Sequence, residues 1–366
     1  MYKTIRPGKV LYDTDGCVVQ AHGGSILYHN GKFYFYGENK EGITGTATGE
    51  RCKNWTNGVK VYSSDDLYNW KDEGIIAISS REGTVFYPEN ITDRPHILYN
   101  EKTGLFVMWA KCSKVPPDEL KYCVYAVELK YCVYAVAVSE DITKPFRVVA
   151  ELDKYHAGDF DLVKDGGKAY IIFENPHDSM FCVTLNDDYT DFTDEMSIHI
   201  PKPFPPFTRE APAFFKRGGR KFLLTSGTTG YFPNETVLYE ITDFHGEWRE
   251  LGKPCVNDVN KNSFACQFSS VFRHPFIKDL YIALGDRWLR DLPANMPDIN
   301  AIYERMFDKT KEPLPDGFTT TALSDENTSE ATYVWLPVRF SDDGTPYICW
   351  ETEWRVNPTG ESGEKD

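Results

Sequence analysis

Short apolar runs alternating with polar positions recur along the chain, joined in pairs by turn-forming residues. His22-Gly-Gly-Ser-Ile-Leu-Tyr-His-Asn-Gly-Lys-Phe-Tyr-Phe-Tyr-Gly-Glu38 is strand, Asn-Gly turn, strand, because period-2 patterning around such a dipeptide is a strong hairpin signal. The unit returns from Asp93 to Trp109, Asp159 to Phe173, Thr208 to Gly227 and Gln267 to Trp288. Second hairpins lie between the copies, such as Val59 to Ser64 with Trp70 to Gly74, and Tyr333 to Phe340 with Pro346 to Trp350. Two hairpins make a four-stranded sheet too small to bury its own faces. Repeats of roughly 50 to 70 residues built from such sheets predict radial stacking, an all-β, five-bladed β-propeller formed as one domain over residues 1–366. A β-sandwich would not explain the polar residue at the head of each unit: His22, Asp93, Asp159, Glu210 and Gln267. In a propeller these heads converge on one end of the axial channel. Met296 to Phe307 is a candidate short helix.

One stretch breaks the pattern. The nonapeptide Glu119-Leu-Lys-Tyr-Cys-Val-Tyr-Ala-Val is repeated at once from Glu128 to Val136. Nine is odd, so one continuous strand holding both copies would turn the second copy's side chains to the opposite face. One copy is expected to hold the blade strand while the other is displaced.

Composition narrows the function. The chain has 366 residues, 41% hydrophobic and 14% aromatic, and a formal net charge of -15. That balance argues against nucleic acid or an anionic membrane as partner, since either needs clustered Lys and Arg. No apolar core of a leader follows Met1 and no run reaches the roughly 20 apolar residues of a membrane span. The expected location is the cytoplasm, or outside the cell if a leader has been removed. The nine scattered Cys fit reduced thiols better than a disulfide framework. Nothing in the spacing calls for a metal or other cofactor.

Carboxylates around a channel mouth suit glycoside hydrolysis, which needs one protonated acid at the leaving oxygen and an opposing group that activates water or attacks the sugar. Glu210 is the natural acid, because partial desolvation near other carboxylates pushes a carboxyl pKa toward neutrality. The plainer alternative is a solvated strand-end Glu.

The ordered segments Asp13-Thr-Asp-Gly, Gln20-Ala-His-Gly-Gly, Tyr36-Gly-Glu, Arg94-Pro, Ile97-Leu-Tyr-Asn, Arg209-Glu-Ala-Pro, Thr225-Ser-Gly, Thr229-Gly, Pro233-Asn, Gly285-Asp-Arg-Trp and Tyr333-Val-Trp-Leu-Pro resemble glycoside hydrolase family 43. They are most similar to its branch of exo-β-1,3-galactanases and related β-galactosidases, over about Asp13 to Trp354. The resemblance implies a five-bladed propeller, inversion and cleavage from the non-reducing end. It implies Glu210 as general acid, Asp159 as the carboxylate that tunes that acid and orients substrate, and Gln267 as the residue positioning the attacking water. The wider family's aspartate base would fall near Gln20 and His22, where this chain has none. Glu38 matches a substrate-contacting carboxylate, and Asp93 stands where the branch has Glu. Ala157-Gly158 replaces Ser-Arg, removing a positive charge expected beside Asp159, and His96 replaces Lys.

Other candidates keep two readings. Gln20 and His22 are placed with the substrate-binding residues, His22 alternatively bonding backbone near the axis. Trp288 is a sugar-stacking platform or core. Arg287 touches ligand or pairs with Asp286. Trp335, Trp350 and Trp354 are expected between blades, and Asp13 and Asp15 in a turn. The leading expectation is an exo-acting glycosidase on β-1,3-galactan or arabinogalactan-derived oligosaccharides. The alternatives are the same fold acting on arabinofuranosyl, galactofuranosyl or xylosyl linkages, and a glycan-binding propeller without catalysis.

Overall fold

The computed structural model describes all residues apart from 43–45, 48–49, 52–53, 114–131, 293–295, 319–322, 324–326 and 358–366. Its strands form five four-stranded antiparallel sheets, each a meander running outward from the axis. Blade 1 holds His22–His29, Lys32–Glu38, Val59–Ser64 and Lys71–Ala77. Blade 2 holds Ile91–Asn100, Leu105–Ser113, Cys132–Ser139 and Arg147–Leu152. Blade 3 runs through Phe160–Asp165, Lys168–Asn175, Ser179–Leu185 and Phe192–His199. Blade 4 is Arg209–Arg217, Arg220–Gly227, Val237–Ile241 and Trp248–Gly252, and blade 5 is Gln267–Arg273, Tyr281–Arg287, Thr332–Phe340 and Pro346–Ile348. The first strands of successive blades touch one another in order, and the fifth returns to the first. This is the five-bladed β-propeller expected from the repeats, and the sandwich is excluded.

Local chemistry sets the first hairpins. Asn30-Gly31, Gly166-Gly167 and Gly218-Gly219 all have positive φ, from 46° to 86°. These are the left-handed pairs that a two-residue hairpin turn requires, and they fix the registers His29 to Lys32, Asp165 to Lys168 and Arg217 to Arg220.

The core is a set of wedges between neighbouring blades. Phe35, Trp70, Tyr333 and Trp335 fill the wedge between blades 1 and 5, and Val107, Trp109, Tyr134 and Phe173 the one between blades 2 and 3. Trp70 and Trp335 meet edge to face at 5.9 Å, an arrangement worth about 0.5–1.5 kcal/mol beyond the area buried. Blades 1 and 5 are tied further by Ile5 and Trp354, which exchange backbone hydrogen bonds of 2.9 and 3.0 Å and whose side chains both enter the wedge between them. Trp335 and Trp354 thus pack between blades, and Trp350 packs beside Phe264. Asp13 accepts the backbone N–H groups of Asp15 and Cys17 in a turn.

The second nonapeptide supplies the third strand of blade 2, from Cys132, while the first copy lies outside the described residues. The flanking sequence explains the choice. The second copy runs on into Ala137 and Val138, both buried, whereas the first is followed by Glu128, which would bring a carboxylate to the buried place of Ala137. The helix is shorter than its window: Ile299–Phe307, with the Asp298 carboxylate accepting the N–H groups of Asn300 and Ala301. Among the described residues no helix is long and apolar enough to cross a membrane.

Candidate active site

The head residues reach the axis through a repeated irregularity. The first strands of blades 1, 2 and 4 each carry one extra residue, between His22 and Ser25, Asp93 and His96, and Glu210 and Ala213. Gly23, Arg94 and Ala211 sit within these bulges at φ of 62°, 52° and 46°. Bulges re-aim side chains, and a non-glycine residue held left-handed costs about 1–3 kcal/mol unless its surroundings enforce it. At position 23 only glycine fits, since a Cβ would lie 2.5 Å from Glu38 Oε1.

Arg94 stands at the centre of the cluster. Its Nη2 is 2.9 Å from Asp159 Oδ2 and also donates to Gln267 Oε1, while its backbone N–H donates to Glu38 Oε1 at 3.0 Å. Burial works against the guanidinium charge, but Asp159, Glu38, Asp286 and Glu210 outweigh it and raise the Arg94 pKa. The positive charge beside Asp159 that the sequence seemed to lack is therefore supplied from blade 2. Gly158 has no room to supply it: a Cβ there would lie 2.2 Å from the Glu174 carbonyl oxygen.

Gln267 differs most from expectation. It touches Glu210 directly, its Nε2 donating to Glu210 Oε1 at 2.8 Å and to Ser226 Oγ at 2.8 Å. Its Oε1 accepts from Arg94 and from Trp288 Nε1, the latter at 3.0 Å. Two donors and two lone pairs are thus all engaged. The amide does not stand across a sugar-sized gap from Glu210. It holds the Glu210 carboxyl through Oε1.

Glu38 is buried, with Lys40 Nζ 3.0 Å from its Oε2, and Gln20 Oε1 accepts the Lys40 backbone N–H at 3.2 Å. Burial pushes the Glu38 carboxyl up to about 7, with Lys40 opposing and Asp93 adding to the rise. His22 bonds no backbone: its Nδ1 is 2.9 Å from Asp286 Oδ1, and its ring stacks on Tyr333 at 4.8 Å. Trp288 is only 5% exposed and gives its N–H to Gln267, so it orients the amide and offers little open face. Arg287 lies outside the cluster and does not pair with Asp286. Its guanidinium donates to the Phe264 and Ala265 carbonyls and faces Trp350, in a cleft of about 440 Å³ at the rim of blade 5. Adjacent strand residues point to opposite faces, which separates Arg287 from its neighbour.

The pattern of strand heads left three contributors unassigned. Arg94 and Ser226 lie within the segments Arg94-Pro and Thr225-Ser-Gly, which assign them no role. Trp55 comes from the connection between the second and third strands of blade 1 and donates its indole N–H to Asp93 Oδ1 at 2.6 Å. Among the described residues no cluster of His, Cys, Asp and Glu could hold a metal ion.

A second buried pair involves the same strands. His96 Nδ1 lies 3.3 Å from Asp161 Oδ1, and the Phe214 N–H donates to Asp161 Oδ2 at 2.7 Å, joining blades 2, 3 and 4. Burial and the Arg94 charge bring the His96 pKa down to about 3, and burial raises Asp161 to about 7. A carboxyl raised above its unfolded value contributes stability fully below that value and loses it as pH rises through the folded one. Asp161→Asn keeps a neutral group of the same shape, so it is expected to match the parent at pH 4 and to exceed it by on the order of 2–4 kcal/mol at pH 8.5. Urea denaturation at the two pH values measures this; an equal effect at both would contradict it.

The sequence model of glycosyl hydrolases family 43 matches residues 25–267. Among solved structures, a family 43 β-1,3-galactosidase with galactodeoxynojirimycin is 29% identical, with a TM-score of 0.73 over 96% of this chain and 100% of its own. Another family 43 β-1,3-galactosidase is 26% identical, with a TM-score of 0.75 over 97% of this chain, which spans 64% of that protein's length. An exo-β-1,3-galactanase from Clostridium thermocellum, 24% identical with a TM-score of 0.70 over 97% of this chain and 67% of its own, shares the fold. No curated protein sequence matches the chain. The family match covers more than half of the residues, and this chain belongs to glycosyl hydrolases family 43.

Proposed function

We propose that this chain is an inverting exo-glycosidase that releases galactose from the non-reducing end of β-1,3-linked galactosides, with Glu210 as general acid. The observation that carries the reading is the Glu210 carboxyl pinned through Oε1 by the Gln267 amide, at the axial end of the propeller and beside Arg94, Asp159 and Glu38. An N–H donor on Oε1 disfavours a proton on that oxygen, so the transferable proton belongs on Oε2. Carboxylates gathered around the axis favour the positive charge that develops on the sugar ring. Arg94 keeps the unliganded cluster from accumulating uncompensated charge.

Water activation needs an acceptor with a lone pair to spare, and among the described residues Asp159 Oδ1 receives no hydrogen bond. Gln267 takes part only if Arg94 or Trp288 releases its oxygen when substrate enters. Its full engagement favours a second reading, a glycan-binding propeller without turnover.

Incubation with β-1,3-galactotriose separates the two. The first reading expects galactose and galactobiose as the earliest products. Binding of the trisaccharide without any galactose release over days supports the second.

A further inference from the structure

The contacts around the acid close on themselves. Gln267 accepts the Trp288 N–H, the Trp288 ring lies 5.6 Å from Tyr231, and Tyr231 lies 6.4 Å from Trp55. Trp55 donates to Asp93, and the next residue, Arg94, returns to Gln267. Blades 1, 2, 4 and 5 each contribute to this circuit, which outlines the mouth of the axial site.

Its three aromatic rings are not equivalent. Trp55 and Trp288 are 7% and 5% exposed, and each has its N–H committed, one to Asp93 and the other to Gln267. Tyr231, held between them, is only half-buried. Its segment is fixed from outside as well: Gly230 has φ of 58°, and a Cβ there would lie 2.9 Å from the hydroxyl of Tyr303 on the helix. The proposed proton transfer makes no use of this ring.

A galactopyranose has one apolar face, because its axial O4 leaves the C–H groups of C3, C4 and C5 together on one side, and such a face packs well against an aromatic ring. The carboxylates lie deep, with Glu38 at 2% exposure. The sugar that leaves must lie outward of them, toward the rim, where Tyr231 is half-buried.

We infer that Tyr231 is the stacking surface for the leaving-group sugar, and that Asp93 is a positioning residue that holds this surface through Trp55. The inference rests on the galactosidase reading above. It gives Asp93 a different task from the substrate contact expected of it. A carboxylate oxygen 2.6 Å from an indole N–H is committed to the indole, and Trp55 in turn limits where the tyrosine ring can go.

The test compares β-1,3-galactobiose, which places a sugar on the leaving side, with β-galactosyl fluoride, which does not. Tyr231→Ala is expected to lower kcat/KM on galactobiose roughly ten- to hundredfold, mostly through KM, while leaving β-galactosyl fluoride within about twofold. Tyr231→Phe retains both activities. Asp93→Ala raises the galactobiose KM in the same way, and Asp93→Asn, whose amide oxygen still accepts the Trp55 N–H, restores it. Equal losses on both substrates, or an unchanged galactobiose KM, would overturn the inference. If the parent protein hydrolyses neither substrate, the galactosidase reading fails, and calorimetric binding of galactobiose to Glu210→Gln, with and without Tyr231→Ala, decides the platform separately. Tenfold weaker binding supports it, and equal binding overturns it.

Discussion

Glu210→Gln is expected to lower galactose release from β-1,3-galactobiose by about 10³- to 10⁴-fold, the upper range for losing a general acid. The substitution is close to isosteric, and a Gln oxygen still accepts the Gln267 N–H now given to Oε1, so the fold and the surrounding hydrogen bonds should persist. The size of the loss follows from the leaving group. A departing sugar alkoxide is strongly basic and needs a proton as the bond breaks, whereas dinitrophenolate does not. On a dinitrophenyl β-galactoside the same variant should therefore lose far less, on the order of tenfold or below. Steady-state kinetics on both substrates checks this. Equal losses on the two would mean that Glu210 contributes to the site without donating the proton.

The second large effect is expected at Arg94, through stability as much as catalysis. Arg94→Met removes the partner of Asp159 in a buried pair of 2.9 Å and leaves an uncompensated carboxylate, a change that typically costs about 3–5 kcal/mol. The left-handed backbone at 94 would carry methionine as reluctantly as arginine, so the backbone contribution cancels in the comparison. Gln267 would keep only Trp288 on its oxygen, and its grip on Glu210 would loosen. Hydrolysis of β-1,3-galactobiose should fall by at least 10²-fold, on the scale of displaced catalytic geometry. Denaturation at pH 7 should show the stability loss, and the double variant Arg94→Met with Asp159→Asn should recover most of it without recovering activity, because the carboxylate that Arg94 pairs with directly is then neutral. An Arg94→Met protein as stable as the parent would contradict the central place given to this ion pair.

The blades were legible because alternation and turn chemistry are local signals. Asn30-Gly31 and Gly218-Gly219 announce their hairpins in four or five residues, and the polar heads His22, Asp93, Asp159, Glu210 and Gln267 stand at the inner strands where the repeats placed them. What those heads do with one another was not legible. In blades 1, 2 and 4 the side on which the head projects depends on one extra residue in the strand, and nothing in Asp93-Arg-Pro distinguishes a bulge with left-handed Arg94 from a regular strand. For the same reason nothing in the sequence assigns Arg94 as the positive charge beside Asp159. The resemblance gives Gln267 the attacking water to position, yet its amide is bonded to Glu210, because inner strands of neighbouring blades bring their heads within hydrogen-bond reach. Trp55 and Tyr231 come from connections between strands, outside the repeated unit, so no periodicity points to them. Arg287 and Trp288 show the limit of a motif: both lie in Gly285-Asp-Arg-Trp, but one turns to the blade rim and the other to the acid.

The central claim, that the acid-bearing axial cluster cleaves a β-galactosidic bond with inversion, has a direct test in proton NMR of β-1,3-galactotriose hydrolysis followed from the first minutes. The anomeric signal of the released galactose should appear first as the α-form and only later equilibrate with the β-form. Release of β-galactose as the first product would contradict the account.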